Sequence, residues 1–419
     1  MFGKRVVITG MGAVSCVGND VNTLWDSVVN GKSGIGPVTA FDASRCKTRI
    51  AGEVKNLDPL KYLDAKDARR YDVYCLYCMA AATEAIANAG LPPDFRNENS
   101  PVQPDRAGII IGSGIGGLRT IEREARVLVE RGPSRISPFF IPMLISNIAC
   151  GILAIRTGAC GPNYSAVSAC SSGNHAISDA FYCIQRGDAD IMITGGGEAA
   201  VTELGYGGFC AMKAMSQRND DPTHASRPFD KDRDGFVMSE GAGLLVLEEY
   251  EHAVKRNAHI YAEILGCAAT GDAYHITSPA PDGAGVALAL KNALNRSGVN
   301  PEDVGYLNAH GTSTHLNDLY ETIAIKKAFG DYAYKLPISS TKGTMGHSLG
   351  AAGGFETIIC AKVIETGIIP PTINYTTPDP ECDLDYTPNT ARERKVDIAV
   401  NTNLGFGGHN GVIVLKRCE

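Results

Sequence analysis

Short apolar runs that end in glycine alternate along this chain with segments whose apolar residues recur at helical spacing. RAGIIIGSGIGG (106–117), ADIMITGGGE (189–198) and VGYLNAHGTST (304–314) each read as a buried strand followed by a tight turn. The spacing predicts helices over Asn22–Val29, Ile121–Glu130, Asn174–Gln185, Gly285–Asn295 and Asn317–Phe329. EGAGLLVLEEYEHAVKRNA (240–258) reads as a strand running into a helix, and the alternation restarts at YAEILG (261–266). Strands that alternate with helices predict α/β layers. The restart places a boundary near residue 255, giving two α/β halves, 1–255 and 256–419. Between them FCAMKAMSQRNDDPTHASRPFDKDRDGFV (209–237) is long and polar, and reads as an ordered surface loop. No flexible linker separates the halves, so a large shared interface is expected.

Composition narrows the class. A chain of 419 residues that is 44% hydrophobic can build a large core. The net charge of −7 argues against a general nucleic-acid binder. No run reaches the length of a membrane span, and the start, MFGKRVVITGMGAVSC, has no signal-peptide pattern. A soluble cytoplasmic protein with reduced thiols is expected, the 13 cysteines included. CLYC (75–78) has CxxC spacing, but it lies in a helical pattern with no second pair, so packing is the better reading than zinc.

Two glycine and acid patterns are discounted. GSGIGG (112–117) fits a dinucleotide turn but is followed by one charged helix, without the acid a ribose would need. It reads as a turn that permits close packing. DKDRDG (230–235) opens like a calcium loop, yet Gly241 stands where a bidentate acid should be. It reads as a solvated turn held by internal salt bridges.

The candidate chemistry lies at strand-to-turn junctions. SAVSACSSGNHAISDA (165–180) places Cys170 between a strand and a helix start, where the helix dipole favours a thiolate. A small buried core residue would suit that place equally. NAHGTSTHLND places His310 after an apolar run. PISSTKGTMGHSLGAAGG places Lys342 and His347 in a second small-residue turn, and NTNLGFGGHNG supplies a third. One thiol, two histidines and a lysine are the parts of acyl chemistry.

In these motifs, over essentially its whole length, the chain resembles the β-ketoacyl-acyl carrier protein synthases. The likeness is to the elongating type of type II fatty acid synthesis, and most to the synthase II branch. The resemblance implies a thiolase-like α/β fold, two similar halves in a five-layer αβαβα arrangement, as a homodimer. It implies an acyl-cysteine on Cys170, decarboxylation of a malonyl-carrier protein, and release of a 3-oxoacyl-carrier protein and CO2. His310 and His347 match the pair that stabilises the malonyl enolate oxygen, and Lys342 the lysine beside them. The amides of Cys170 and Phe406 match the oxyanion hole. Ile115 matches the base of the acyl pocket, and Phe406 also an aromatic gate. Thr312 and Thr314 match hydroxyls that hold phosphopantetheine, which arrives on the carrier, so no bound cofactor and no catalytic metal are implied. Lys66, Arg69, Arg70, Arg135 and Lys213 match basic docking positions for the acidic acyl carrier protein. Glu321, Glu356 and Asn308 match structural supports, Glu356 near a monovalent cation in some members. Synthase I or polyketide ketosynthase specificity stays open. So does a non-enzyme reading, an acyl-chain-binding or chain-length-factor-like subunit, although Cys170 speaks against it.

Overall fold

The computed structural model describes residues 3–418. In chain order the strands of its main sheet are β1 (Val6–Ser15), β2 (Ala107–Gly112), β3 (Asn163–Tyr164), β4 (Ile191–Glu198) and β5 (Gly241–Glu249). They continue with β6 (Ala262–Gly271), β7 (Tyr306–Asn308), β8 (Ile338–Ser339), β9 (Ile398–Gly405) and β10 (His409–Lys416). Ten strands lie in the order β8-β7-β9-β10-β6-β1-β5-β4-β2-β3. From either edge inward the order is third, second, fourth, fifth, first of its own set. Directions repeat as well. The outer three strands of each set are parallel, and the fifth pairs antiparallel with both the fourth and the first. The two sets join where Val6–Ile8 of β1 pair antiparallel with Ala262–Ile264 of β6. The chain is thus a duplicated α/β unit whose repeat is carried by topology, not by residue identity.

Parallel neighbours need crossover connections, and helices provide them. The longer helices are α1 (Val21–Val29), α2 (Val73–Asn88), α3 (Leu118–Arg131), α4 (Ile148–Thr157), α5 (Ser172–Arg186), α6 (Glu203–Ala211), α7 (Ala284–Ser297), α8 (His315–Phe329) and α9 (Ala352–Thr366). Helix α9 is apolar nearly all round and twelve of its fifteen residues are buried, as befits a helix with no solvent face. It shares one core with α5 and with strands of both halves. Helices α2 and α4 cover the far face of β2, β4 and β5. Helices α7 and α8 cover the corresponding face of β7, β9 and β10. The layers are therefore α, β, α, β, α, the thiolase-like arrangement. The CxxC pair lies buried on α2.

The passage 209–237 departs from its reading. Its first residues end α6, and much of the remainder is buried, including Ser226, Arg227, Phe229, Asp230 and Arg233. Asp230 is not in a solvated turn. It is fully buried and accepts from Thr376 N (2.6 Å) and Thr377 N (2.7 Å). Arg233 is paired with Asp379 (2.7 Å) and Asp318 (3.6 Å), both from the second half. A polar run alternating in charge looks solvated in sequence. Here Asp230 pairs with Arg227 (3.2 Å) within the passage, and the other buried contacts come from residues about 80 to 150 positions away, which makes burial tolerable.

Candidate active site

The C-terminal ends of the parallel strands of both halves converge on one cavity of about 630 Å³. Outside such ends α/β folds place their ligands. Cys170, His310 and His347 line it, with Ile115, Thr312, Thr314, Leu404 and Phe406.

Cys170 sits in a turn of 3-10 helix, Ala169–Ser171, that runs directly into α5. Ala169 has φ 52°, a left-handed conformation that costs an L-residue energy and bends the chain sharply before the thiol. Three neighbours hold the bend. Ser172 Oγ donates to Ala169 O (2.6 Å), Ser168 N donates to Ser172 Oγ (2.9 Å), and Ser168 Oγ meets His175 Nδ1 (2.6 Å). The Gly405–Gly408 turn presses against this bend. A Cβ on Gly405 would stand 2.6 Å from Ser168 O and 3.2 Å from Cys170 N, so only glycine allows the approach. The backbone at Gly405, just before Phe406, is thereby brought against the Cys170 amide.

The thiol itself departs from expectation. The helix start was expected to favour thiolate, but burial pushes the thiol up to about 12, with the Lys342 charge pulling only partly the other way. Cys170 is 8% exposed, and desolvation of an anion outweighs one helix dipole there. At rest it is an S–H, and His347 Nε2 lies 3.1 Å from Sγ.

Both histidines are neutral. Burial lowers their pKa values far below the ordinary range, and the neighbouring Lys342 adds to this. Their rings meet edge to face, with centroids 5.1 Å apart. Asn403 settles the tautomer of His310. Its amide Nδ2 donates to Glu356 Oε2 (2.6 Å) and lies 3.2 Å from His310 Nδ1. Since Nδ2 can only donate, His310 Nδ1 accepts and the ring proton resides on Nε2. The other Glu356 oxygen pairs with Lys342 Nζ. Lys342 therefore acts from behind the cavity wall. Glu321 does not touch substrate space either. Its carboxylate receives His310 N (2.7 Å), Gly311 N (2.8 Å) and Thr402 Oγ1 (3.0 Å), and so fixes the turn carrying His310. Burial raises its pKa to about 7.

Lys342 and Glu356 form a nearly sealed ion pair, each 3% exposed at the side chain. Removing one partner of such a pair leaves a buried charge unmatched. Lys342→Met is expected to cost about 3–5 kcal/mol of stability. The double variant Lys342→Met, Glu356→Gln is expected to recover most of it. Denaturant midpoints of the three proteins check this, and equal losses in the single and double variants would contradict it.

Thr312 and Thr314 present hydroxyls 2.9 Å apart on the cavity wall. Asn308 lies deeper: its amide donates to Tyr306 (3.2 Å), and Oδ1 has no donor. The basic positions divide. Lys213, with φ 56°, lines the cavity mouth after α6. Lys66, Arg69 and Arg70 lie on the short helix Ala65–Arg70, and Arg135 ends the turn Pro133–Arg135. None of these four lines the cavity. Arg70 is bound to Asp67 (2.8 Å) and covers the Phe139 ring at 4.5 Å.

Three further groups were not singled out in the sequence. Asn403 stood in a quoted turn, and a polar residue at the end of a buried strand was its only signal. Phe209 and Phe236 meet edge to face (5.5 Å) and both line the cavity, but they lie in the passage read as surface. Glu198, fully buried at the end of β4, carried the signal of an acid at the C-terminal end of a parallel strand.

The family model "Beta-ketoacyl synthase, N-terminal domain" matches residues 3–253, and "Beta-ketoacyl synthase, C-terminal domain" matches residues 261–376. The 3-oxoacyl-[acyl-carrier-protein] synthase 2 of Synechocystis sp. is 51% identical over 416 residues, covering 99% of each chain. Among solved structures, the AntDE:AntF ketosynthase of a type II PKS, bound to the hexaketide and in complex with its acyl-carrier protein, superposes with TM-score 0.92. It is 34% identical, with both chains fully covered. A beta-ketoacyl synthase from Burkholderia phymatum gives TM-score 0.91 at 32% identity, covering 99% of this chain and all of the other.

Proposed function

The chain belongs to the β-ketoacyl synthase family, and we propose on that premise that it is a 3-oxoacyl-acyl carrier protein synthase of the synthase II type, working in fatty acid elongation. The observation that carries this reading is the junction of Cys170, His310 and His347 in one cavity, with Asn403 holding a ring N–H of His310 toward it.

In the first half-reaction Sγ of Cys170 attacks the carrier-bound thioester. The carbonyl oxygen becomes negative between the amides of Cys170 and Phe406, and each such donor is worth about 3 kcal/mol. The carrier's sulfur leaves with the proton that Sγ gives up, and His347 Nε2 is placed to pass it on. Keeping the thiol protonated at rest spares it from unproductive chemistry. In the second half-reaction malonyl-carrier protein loses CO2, and the electron pair of the broken C–C bond forms an enolate. The His310 Nε2–H donates to the enolate oxygen, with His347 beside it. A neutral imidazole can do this because its proton is fixed on the outward nitrogen. The enolate carbon attacks the acyl-Cys170 carbonyl, the Cys170 sulfur leaves, and a 3-oxoacyl-carrier protein is released.

Acyl carrier protein is the partner this chemistry requires. Lys213 at the mouth, with Lys66, Arg69, Arg70 and Arg135 further out, supplies basic groups for an acidic carrier. Rim charges of this kind govern encounter rate and salt dependence more than chemistry. Thr312 and Thr314 would hold the phosphopantetheine amides. A second copy of the chain is proposed at the free edge of β3, where Tyr164 and Val167 are exposed. A monovalent cation beside Glu356 belongs to the same reading. Asn308 and Asn401 are register partners on β7 and β9, and both have a buried Oδ1 without a donor. Neutral oxygens of this kind suit a hard cation, which would supply a fixed positive charge next to Glu356. Among the described residues no helix is long and apolar enough to cross a membrane.

The reading is tested by giving the protein acyl-carrier proteins of graded length with malonyl-carrier protein and weighing the products. A two-carbon extension as the 3-oxo product is expected, and recovery of unextended acyl chains alone would refute it. Chain length has a handle in Ile115. A buried methylene gains only about 0.8 kcal/mol, so steric overlap cancels the gain of a longer chain within a few carbons. Ile115→Phe is expected to keep short-chain elongation and to impair chains beyond about eight carbons. Values of kcat/KM across lengths check this, and an equal loss at every length would remove Ile115 from the acyl path.

A further inference from the structure

Glu198 touches none of the reacting groups above, though its charge would help to hold the Cys170 thiol protonated, and its carboxyl is the meeting point of both halves of the cavity wall. Ser113 Oγ (3.0 Å) and Ile115 N (3.3 Å) donate to Oε1. Gly114 N (2.8 Å) and Gly350 N (3.1 Å) donate to Oε2. Three of these donors belong to the turn after β2, which carries Ile115 into the cavity. The fourth belongs to the turn that follows His347. All four contacts to the Glu198 carboxyl come from N–H and O–H donors, which partly offset the burial that raises its pKa to about 7.

The duplication explains why a carboxylate fits there. Leu349 has φ 51°, almost that of Ala169, and it too opens one turn of 3-10 helix, Leu349–Ala351, that runs into a long helix, α9. Gly350 therefore stands in the second half where Cys170 stands in the first. The amide of Cys170 faces substrate, whereas its counterpart on Gly350 is taken by Glu198. No side chain can stand at 350 in this arrangement. A Cβ there would lie 2.4 Å from Gly114 N and 2.8 Å from Glu198 Oε2. The second elbow is thus closed, and its closure ties the Ile115 turn to the His347 turn.

We infer that Glu198 is a positioning residue that sets acyl-chain preference, by clamping the Ser113–Gly116 turn, and Ile115 with it, against the turn after His347. This rests on the condensation proposed above. Ile115 can yield to a long acyl chain only as far as its backbone is free to move, and Glu198 restrains two successive amides of that backbone.

Glu198→Gln is isosteric but replaces one acceptor oxygen with a donor, so in either orientation a backbone N–H faces another N–H. Ser113→Ala removes a single donor and leaves the rest. The experiment measures kcat/KM for a six-carbon and a sixteen-carbon acyl-carrier protein on wild type and both variants. The ratio of long to short is expected to rise by about fivefold in Glu198→Gln and less, in the same direction, in Ser113→Ala. A purely structural role would lower both lengths alike, and an unchanged ratio in both variants overturns the inference. If Glu198→Gln does not fold, Ser113→Ala decides alone: a raised ratio supports the clamp, and an unchanged one overturns it. Absence of condensation by the wild type would instead overturn the proposed function, and the inference with it.

Discussion

Cys170→Ala is expected to abolish acyl-enzyme formation and to lower condensation by about 10⁴-fold or more, with the fold retained. The sulfur is the atom to which the acyl group is attached, so no neighbouring group can take over its bond. The adjacent hydroxyl is no substitute, since Ser171 Oγ is bound to the carbonyls of Asn403 (3.0 Å) and His409 (2.9 Å). The structural cost is small. Cysteine and alanine differ by one sulfur, and loss of one buried atom of that size costs about 1 kcal/mol. The left-handed Ala169 and the hydrogen bonds of Ser168 and Ser172 hold the bend without help from the thiol. Intact-protein mass spectrometry after incubation with acyl-carrier protein should show one adduct on the wild type and none on the variant. An adduct that persists on another of the 13 cysteines would displace Cys170 from its role.

His310→Ala separates the two half-reactions. Transfer of the acyl group onto Cys170 is expected to stay within about tenfold of wild type, while malonyl decarboxylation falls by about 10²–10³-fold. The asymmetry follows from position. His347, not His310, touches Sγ, so the first half-reaction keeps its proton path. The enolate exists only in the second, and it loses a donor whose proton Asn403 had fixed outward. His347→Ala should differ by slowing both steps. Single-turnover acylation and CO2 release from pre-acylated enzyme are followed separately. Normal CO2 release in His310→Ala would sink the enolate role. Loss of acylation to the same degree would place His310 in the first step instead.

Much of this was legible because it is local. The run at 107–112 is apolar throughout and ends in glycine, and that at 191–198 opens with apolar residues and runs through three glycines to Glu198, which marks strands buried on both faces. They form β2 and β4. The helices predicted at 174–185 and 317–329 lie within α5 and α8. Cys170, His310 and His347 stood out because each sits among small residues at a strand-to-turn junction, a signature contained in about ten residues. What failed was non-local. DKDRDG looked solvated because its partners Asp318, Thr376 and Asp379 lie far along the chain. The thiol pKa was misread because the helix start is visible in SACSSG, whereas the burial that outweighs it comes from Phe236 and Leu349 and from the Gly405 turn.

Sequence alone therefore determined the element types, the double α/β order and the residues able to do acyl chemistry, since periodicity and turn chemistry act within a few residues of each other. Tertiary structure decided which nitrogen of His310 carries its proton, that Cys170 rests as a thiol, that Lys342 works through Glu356 and Asn403, and that Glu198 closes the second elbow. Each of these depends on burial and on partners distant in the chain, within the second half for His310 and Lys342 and across the two halves for Cys170 and Glu198, and desolvation and pairing exist only once the chain has packed.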